Sequence, residues 1–181
     1  MASDNRIGWA HVAAADPMVA AFIDRAGVPP ARPGEGDPFA SLARAIVYQQ
    51  LAGRAAAAIH RRFVEAIGGS VTAEAILATE TSKLRGAGLS TAKTVSLQDL
   101  AAKAADGTVP VGELASLGDD EIVARLVTVR GIGRWTAEMF LLFELQRPDV
   151  WPVDDLGVRQ GWRLIHEQAE LMKPKALDAA G

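Results

Sequence analysis

The sequence predicts an all-α fold, and three observations carry that reading. Apolar residues recur at helical spacing through alanine-rich segments, alternating β-branched runs are few, and helix boundaries are punctuated by Asp-Pro starts and glycine stops. The expected architecture is a compact two-lobed helical fold with a helix-hairpin-helix motif and a cleft between the lobes. Residues 1–181 are expected to form a single domain, since 181 residues with 49% hydrophobic content suffice for a substantial core.

Asp16-Pro17 opens the first well-marked helix and Gly27 closes it, because an aspartate caps free amides and proline suits the first helical turn. Gly27 to Asp37, with Pro29, Pro30, Pro33, Gly34 and Gly36, reads as a connection within the fold. Asp37-Pro38 opens a helix running to about Gln50, a break follows at Leu51 to Gly53, and an alanine-rich helix then continues to Ile67 before Gly68-Gly69 stops it. From Phe39 to Phe63 this pair carries Arg44, Arg54, Arg61 and Arg62 and no acid, a candidate part of a polyanion-facing surface or a solvated helix face. Leu84 to Ala101, LRGAGLSTAKTVSLQDLA, reads as a loose helix-turn-helix, a hairpin in the middle of the chain. A short amphipathic run (Glu121, Ile122, Val123, Leu126, Val127) precedes a second hairpin and a strongly apolar helix from Trp135 to Leu145. The two hairpins share a loose helix-turn-helix form, and no repeat is strong enough for a solenoid. Pro152 and Val153 end an extended linker, after which Leu156, Val158, Leu164 and Ile165 start a new apolar periodicity.

The second hairpin, VTVRGIGRW, is the most informative segment. Gly131 and Gly133 bracket Ile132; glycine adopts turn conformations without steric cost and lets a ligand approach the main chain. Free amides at the start of the following helix, aided by the helix dipole, form an anion site that suits a phosphate. Arg130 and Arg134 flank the turn, with no acid between Val127 and Arg134. Alone, such a short motif also fits an ordinary helix cap. Asp155 lies at or near a helix start, where dipole and amides favour an ionised carboxylate; either Asp154 or Asp155 could equally serve as a helix cap.

The stretch VTVRGIGRWTAEMFLLFELQRPDVWPVDDLGVRQG resembles the helix-hairpin-helix (HhH-GPD) DNA glycosylases, specifically the 3-methyladenine DNA glycosylase II (AlkA-like) branch. FASLARAIVYQQLAGRAAAAIHRRF resembles that family's early helix pair and the middle hairpin its counterpart, in the right order, so the resemblance runs from about Asp16 to the end. It implies a monofunctional enzyme that excises alkylated purines such as 3-methyladenine from duplex DNA in base excision repair. Asp155 matches the catalytic carboxylate, with Asp154 in a supporting place. Trp135 occupies a position where lyase relatives carry a Schiff-base lysine, and with Met139 it would line the base pocket, stacking on a cationic base; alternatively both fill the core beside Phe140 and Phe143. A relative can carry an aromatic residue at the Met139 position, which leaves another lesion open. Leu51 matches the intercalating wedge, and Gln49 and Gln50 could bond the unpaired base or a phosphate, Gln49 alternatively bracing the hairpin; a buried loop leucine is the plainer account of Leu51. Arg130, Gly131, Ile132, Gly133 and Arg134 would form the phosphate-binding hairpin. Main-chain carbonyls of Val127, Val129 and Gly131 would hold a structural Na+ or K+, and Arg130 replaces the family's usual proline. The family continues past Ala180 into a segment rich in Trp, Tyr and Arg, so the chain looks shortened, and it lacks the N-terminal sheet domain of some relatives. A noncatalytic DNA-binding module is the competing expectation.

Cysteine is absent, which excludes disulfides and the four-cysteine iron–sulfur cluster of some relatives. His11, His60 and His166 lack metal-ligand spacing and read as surface or capping residues. With no signal peptide or membrane span, the expected setting is cytoplasmic and nucleoid-associated, as a monomer, with self-association if exposed apolar surface is left at the C-terminus. The net charge of -3 and pI of about 5.6 predict weak, salt-sensitive DNA affinity through a local basic face.

Overall fold

The Asp-Pro pairs start helices as their chemistry dictates. Asp16 Oδ1 accepts from the amides of Met18 and Val19 at 2.9 and 3.2 Å, and Asp37 Oδ1 accepts from Phe39 and Ala40 at 3.0 and 3.1 Å. In the computed structural model, which describes residues 5–28, 34 and 36–181, every regular element is helical and no strand occurs among the described residues. The chain divides into two compact units: one comprises Met1–Pro33 with Gln146–Gly181, the other Gly34–Leu145.

The central unit holds α3 (Pro38–Tyr48), α4 (Gly53–Ala66), α5 (Ala73–Ala78), α6 (Thr81–Gly86), α7 (Thr91–Ala105), a 3-10 turn at Leu114–Ser116, α8 (Asp119–Leu126) and α9 (Arg134–Phe143). Its core follows from helical spacing. On α3, Phe39, Leu42, Ala43, Ile46 and Val47 form one buried stripe. On α7, Leu97, Leu100 and Ala101 do the same, and α8 adds Ile122 and Leu126. Helix α7 packs against α3, α5 and α6, while α3 packs against α4 and α9. Each large aliphatic side chain so buried contributes about 1.5–3 kcal/mol before entropy is counted.

Boundaries differ from the sequence expectation by a residue or two. The first helix of the early pair stops at Tyr48, not Gln50, so the break spans Gln49–Ala52. Helices α5 and α6 have six residues each, too short to declare a period, although Thr72 marks the first by capping Ala75 N. Of the proline-rich connection, Pro29, Pro30 and Pro33 lie outside the described residues. Its Gly36 amide donates to Glu144 Oε1 at 2.9 Å, and a Cβ on Gly34 would sit 2.5 Å from the Glu144 carbonyl oxygen.

The other unit contains α1 (Asn5–Ala15), α2 (Pro17–Ala26), α10 (Leu156–Ile165) and α11 (Pro174–Asp178). Helix α2 packs on α1 and α10, Trp151 Nε1 donates to the Leu177 carbonyl, and Arg159 Nε donates to that of Met172. The His166 ring lies 3.9 Å from that of Trp162, with Nε2 3.2 Å from Asp16 Oδ2. Met18, Phe22, Leu156 and Leu164 are exposed. Among the described residues, no helix is long and apolar enough to cross a membrane.

Candidate functional site

The glycine hairpin joins α8 to α9. Ile132 N donates to the Val129 carbonyl at 3.0 Å, and both side chains are buried, which anchors the turn from inside. Gly131 has φ 81, and a Cβ there would fall 2.5 Å from Ser96 Oγ, so glycine is required by conformation and by space. Gly133 is the N-cap of α9 and, being glycine, has no side chain with which to cap it. The first turn of α9 stands at the positive end of the helix dipole, which favours an anion.

The middle hairpin shows what differs. RGAGLSTA (Arg85–Ala92) and RGIGRWTA (Arg130–Ala137) share R-G-x-G-x-x-T-A, yet they fold differently. In the former the positive φ falls on the second glycine, Gly88, and Ser90 Oγ accepts from Lys93 N, closing the start of α7. In the latter it falls on Gly131, and α9 begins at Arg134 after a glycine N-cap.

The hairpin arginines are not free of acids. Arg134 Nε donates to Glu138 Oε1 at 2.8 Å, the carboxylate being buried and the guanidinium exposed. Arg130 N donates to Asp99 Oδ2 at 2.7 Å. The absence of acids between Val127 and Arg134 is thus true of the sequence and not of the space around it.

The break between α3 and α4 presents Leu51. Gln50 adopts φ 56, a left-handed conformation that costs a non-glycine residue roughly 1–2 kcal/mol. Leu51 is 37% exposed, which removes the plainer account of a buried loop leucine. Gln49 Nε2 donates to the Gly131 carbonyl at 2.9 Å, so Gln49 braces the hairpin, while Gln50 is exposed.

Beside this brace opens a cavity of about 550 Å³ lined by Tyr48, Gln49, Gln50, Gly131, Trp135, Thr136 and Met139, with Ala45 at its side. The buried face of α9 is Thr136, Ala137, Phe140 and Leu141. Trp135 sits off that stripe and is 45% exposed, and Met139 is half-buried, so neither fills the core. Phe143, expected in the core, is 57% exposed because it lies past the last buried turn. Tyr48 is the wall that the sequence did not reveal; the Arg44 guanidinium carbon sits 4.5 Å from its ring centroid.

Helix α7 contributes side chains that sequence reasoning missed. Lys93 Nζ donates to the carbonyls of Val47 and Gln49 at 2.5 and 2.7 Å, where α3 ends. Burial pushes its pKa below 10.5. Lys103 Nζ donates to Asp99 Oδ2 and to the Thr128 carbonyl, both at 2.7 Å. Burial alone would raise the Asp99 pKa, but the Arg130 amide and the Lys103 ammonium outweigh it and hold it below 3.8. The lysine spacing along an apolar helix was visible; its partners, distant in sequence, were not.

Asp155 lies in the other unit. It is the N-cap of α10, its Oδ1 accepting from Val158 N at 2.8 Å, and it is half-buried; Asp154 is exposed. Of the hairpin carbonyls considered for a cation, that of Val129 accepts from Ile132 N and that of Gly131 from Gln49 Nε2. Each such oxygen has a second lone pair, so a neutral oxygen set with Val127 fits a hard monovalent ion. No cluster of three or more His, Cys, Asp or Glu suited to a metal occurs among the described residues.

The model of the HhH-GPD superfamily of base excision DNA repair proteins matches residues 43–180. The DNA-3-methyladenine glycosylase 1 of Schizosaccharomyces pombe is 41% identical over 133 residues, covering 72% of this chain and 58% of the relative. The chain thus spans little more than half the length of that relative. A solved Schizosaccharomyces pombe 3-methyladenine DNA glycosylase in complex with abasic DNA superposes with a TM-score of 0.78 at 33% identity, covering 94% of this chain and 85% of that one. A Bacillus halodurans DNA-3-methyladenine glycosidase superposes with a TM-score of 0.86 at 32% identity, covering 97% and 79%.

Proposed function

From the premise that the chain belongs to the HhH-GPD superfamily of base excision DNA repair proteins, we propose that it is a monofunctional DNA glycosylase that releases alkylated purines such as 3-methyladenine from duplex DNA. One observation carries this reading. A cavity walled by Tyr48, Trp135 and Met139 opens beside both the glycine turn that starts α9 and the loop bearing exposed Leu51. A phosphate grip, a wedge and a base-sized receptacle are the three parts needed to extrude a base and hold it. The relative solved with abasic DNA supports DNA as the partner.

In the proposed reaction the glycine hairpin, Arg130 to Arg134, takes a backbone phosphate through the α9 amides. Leu51 enters the base stack while Gln50 faces the vacated space and Gln49 keeps the hairpin in place. Trp135 and Tyr48 flank the extruded purine, whose positive charge gains about 0.5–2 kcal/mol over an aromatic face. As the bond from C1′ to the base nitrogen breaks, its electron pair leaves with the base and positive charge grows on the sugar. The Asp155 carboxylate stabilises that charge. Water then adds to C1′ and loses its proton, leaving an abasic site. Trp135 offers no amine for a Schiff base, so the backbone stays intact. The carbonyls of Val127, Val129 and Gly131 would hold a Na+ or K+ ion, which would add positive charge at the phosphate grip.

Release of free 3-methyladenine from methylated duplex DNA tests the reading. Asp155→Asn is expected to lower the rate by at least about 100-fold with DNA affinity retained. A second reading, a noncatalytic DNA-binding module, is favoured by the Asp155 bond to Val158 N, which a purely capping aspartate would also make. Binding without release by the unmodified protein would establish it. A panel of alkylated, deaminated and mismatched substrates decides the lesion, since Met139 provides a flexible pocket wall compatible with several shapes.

A further inference from the structure

Side chains spaced along α7 reach two separate elements of the site. Near its start, Lys93 holds the carbonyls of Val47 and Gln49, the end of α3 from which the Leu51 loop departs. Three residues on, Ser96 abuts Gly131 so closely that a Cβ on that glycine would collide with it. Further along, Asp99 takes the Arg130 amide, and Lys103 takes the Thr128 carbonyl and Asp99 itself. Gln49 closes the circuit by bonding Gly131 directly.

We propose that α7 is a positioning bracket: Lys93 fixes the wedge loop, Asp99 fixes the phosphate-gripping hairpin, and the rigid helix between them sets the distance at which the two engage DNA. The physical need is plain. Carbonyls at a helix C-terminus lack intrahelical partners and carry the negative end of the dipole, so an ammonium there both satisfies and pins them. Left without it, the turn through Gln50 keeps the Leu51 N bond to the Tyr48 carbonyl at 3.3 Å but loses its tie to α7, and the direction of Leu51 is less fixed. On the hairpin side, Asp99 restrains the main chain at Arg130, a position without proline's fixed φ. The helix itself spans about 1.5 Å per residue, so the six residues from Lys93 to Asp99 set a gap of about 9 Å.

The bracket rests on the glycosylase reading only for its purpose; its action on DNA is measurable without base release. Lys93→Met and Lys93→Arg, and Asp99→Ala and Asp99→Asn, are compared in the full chain. Affinity for a duplex carrying a tetrahydrofuran abasic analogue reports the grip, and 2-aminopurine fluorescence in duplex DNA reports extrusion. Lys93→Met is expected to lower extrusion by about tenfold to 100-fold with affinity within threefold. Asp99→Ala is expected to lower affinity about tenfold instead. Arginine at 93 and asparagine at 99, which keep the donor and the acceptor, are expected to recover most of each loss. A general loss of structure would move both readouts together and would not respect this split. Should either variant fail to fold, the other pair carries the test. Both readouts staying within twofold of the unmodified protein in folded variants, or falling in parallel, overturns the bracket. A wild type that extrudes 2-aminopurine yet releases no base overturns the glycosylase reading and leaves the bracket standing.

Discussion

At the scale of single residues, the two hairpin glycines separate stability from binding. Gly131 is constrained twice, by φ 81 and by Ser96 Oγ, whereas Gly133 has an ordinary φ of -95 and open space where a Cβ would go. Gly131→Ala is therefore expected to destabilise the fold by about 2 kcal/mol or more, the sum of left-handed strain and collision. Adding Ser96→Ala removes the oxygen, leaves a 3.4 Å contact with Ser96 Cβ and recovers only the steric part. Gly133→Ala is expected to change the melting temperature little, because restriction of the unfolded chain by alanine is offset by the loss of glycine's N-cap preference, and yet to weaken DNA binding, because its methyl group stands at the amides proposed to take the phosphate. Thermal melts with fluorescence anisotropy check both; parallel changes in stability and affinity for Gly133→Ala would refute the separation. The need for glycine at the turn was legible in GIG. The partner that makes Gly131 obligatory was not, since Ser96 lies on another helix and no local pattern announces it. The same is true of Tyr48, which no local pattern marks and which lines the same cavity as Trp135.

At the scale of elements, helices whose apolar stripes extend over about three turns were legible, as α3 and α9 show, and the hairpin between α8 and α9 was legible from its punctuation. Short α5 and α6 were not, because six residues carry too little period. The shared R-G-x-G-x-x-T-A of the two hairpins could have been found by eye, but its meaning depended on where each helix begins. Helix α7 was read as part of the middle hairpin, and its role toward the second hairpin depends on tertiary partners. That role has a pH signature. The Asp99 pKa in the folded state lies below its ordinary 3.8, despite burial, through the Arg130 amide and Lys103. Its contribution to stability is thus fully present above pH 3.8 and is lost as pH falls through the folded value. Acid denaturation followed by circular dichroism should show this loss, and Asp99→Asn should flatten the profile in that window while lowering stability at pH 7. An unchanged acid limb in the variant would show that Asp99 does not govern the acid response.

At the scale of the whole molecule, the core is unevenly distributed. Among the described residues, the buried apolar side chains lie within Gly34–Leu145 with the exceptions of Pro152 and Leu177. Helices α2 and α10 bury no residue fully. Local opening free energy tracks buried apolar contact, so α2 and α10 are expected to open well before α3, α7 and α9. Hydrogen exchange should show this directly as lower protection for amides of residues 156–165 than for those of 94–101. The functional consequence follows from where the proposed parts reside. The phosphate grip, the wedge and the cavity belong to the well-packed unit, and Asp155 belongs to the sparsely packed one. In a urea titration, base release is therefore expected to fall at a lower concentration than affinity for abasic duplex DNA, because catalysis needs the α10 N-terminus folded and the grip does not. Trp151 and Trp162, which meet edge to face at 5.6 Å, lie in the sparsely packed unit and Trp135 in the other, so tryptophan fluorescence should change first with the loss of activity and again with the loss of binding. Coincident midpoints for activity, binding and far-UV circular dichroism would mean that the two units unfold as one cooperative body, and the proposed separation of catalytic carboxylate and DNA grip by stability would be wrong.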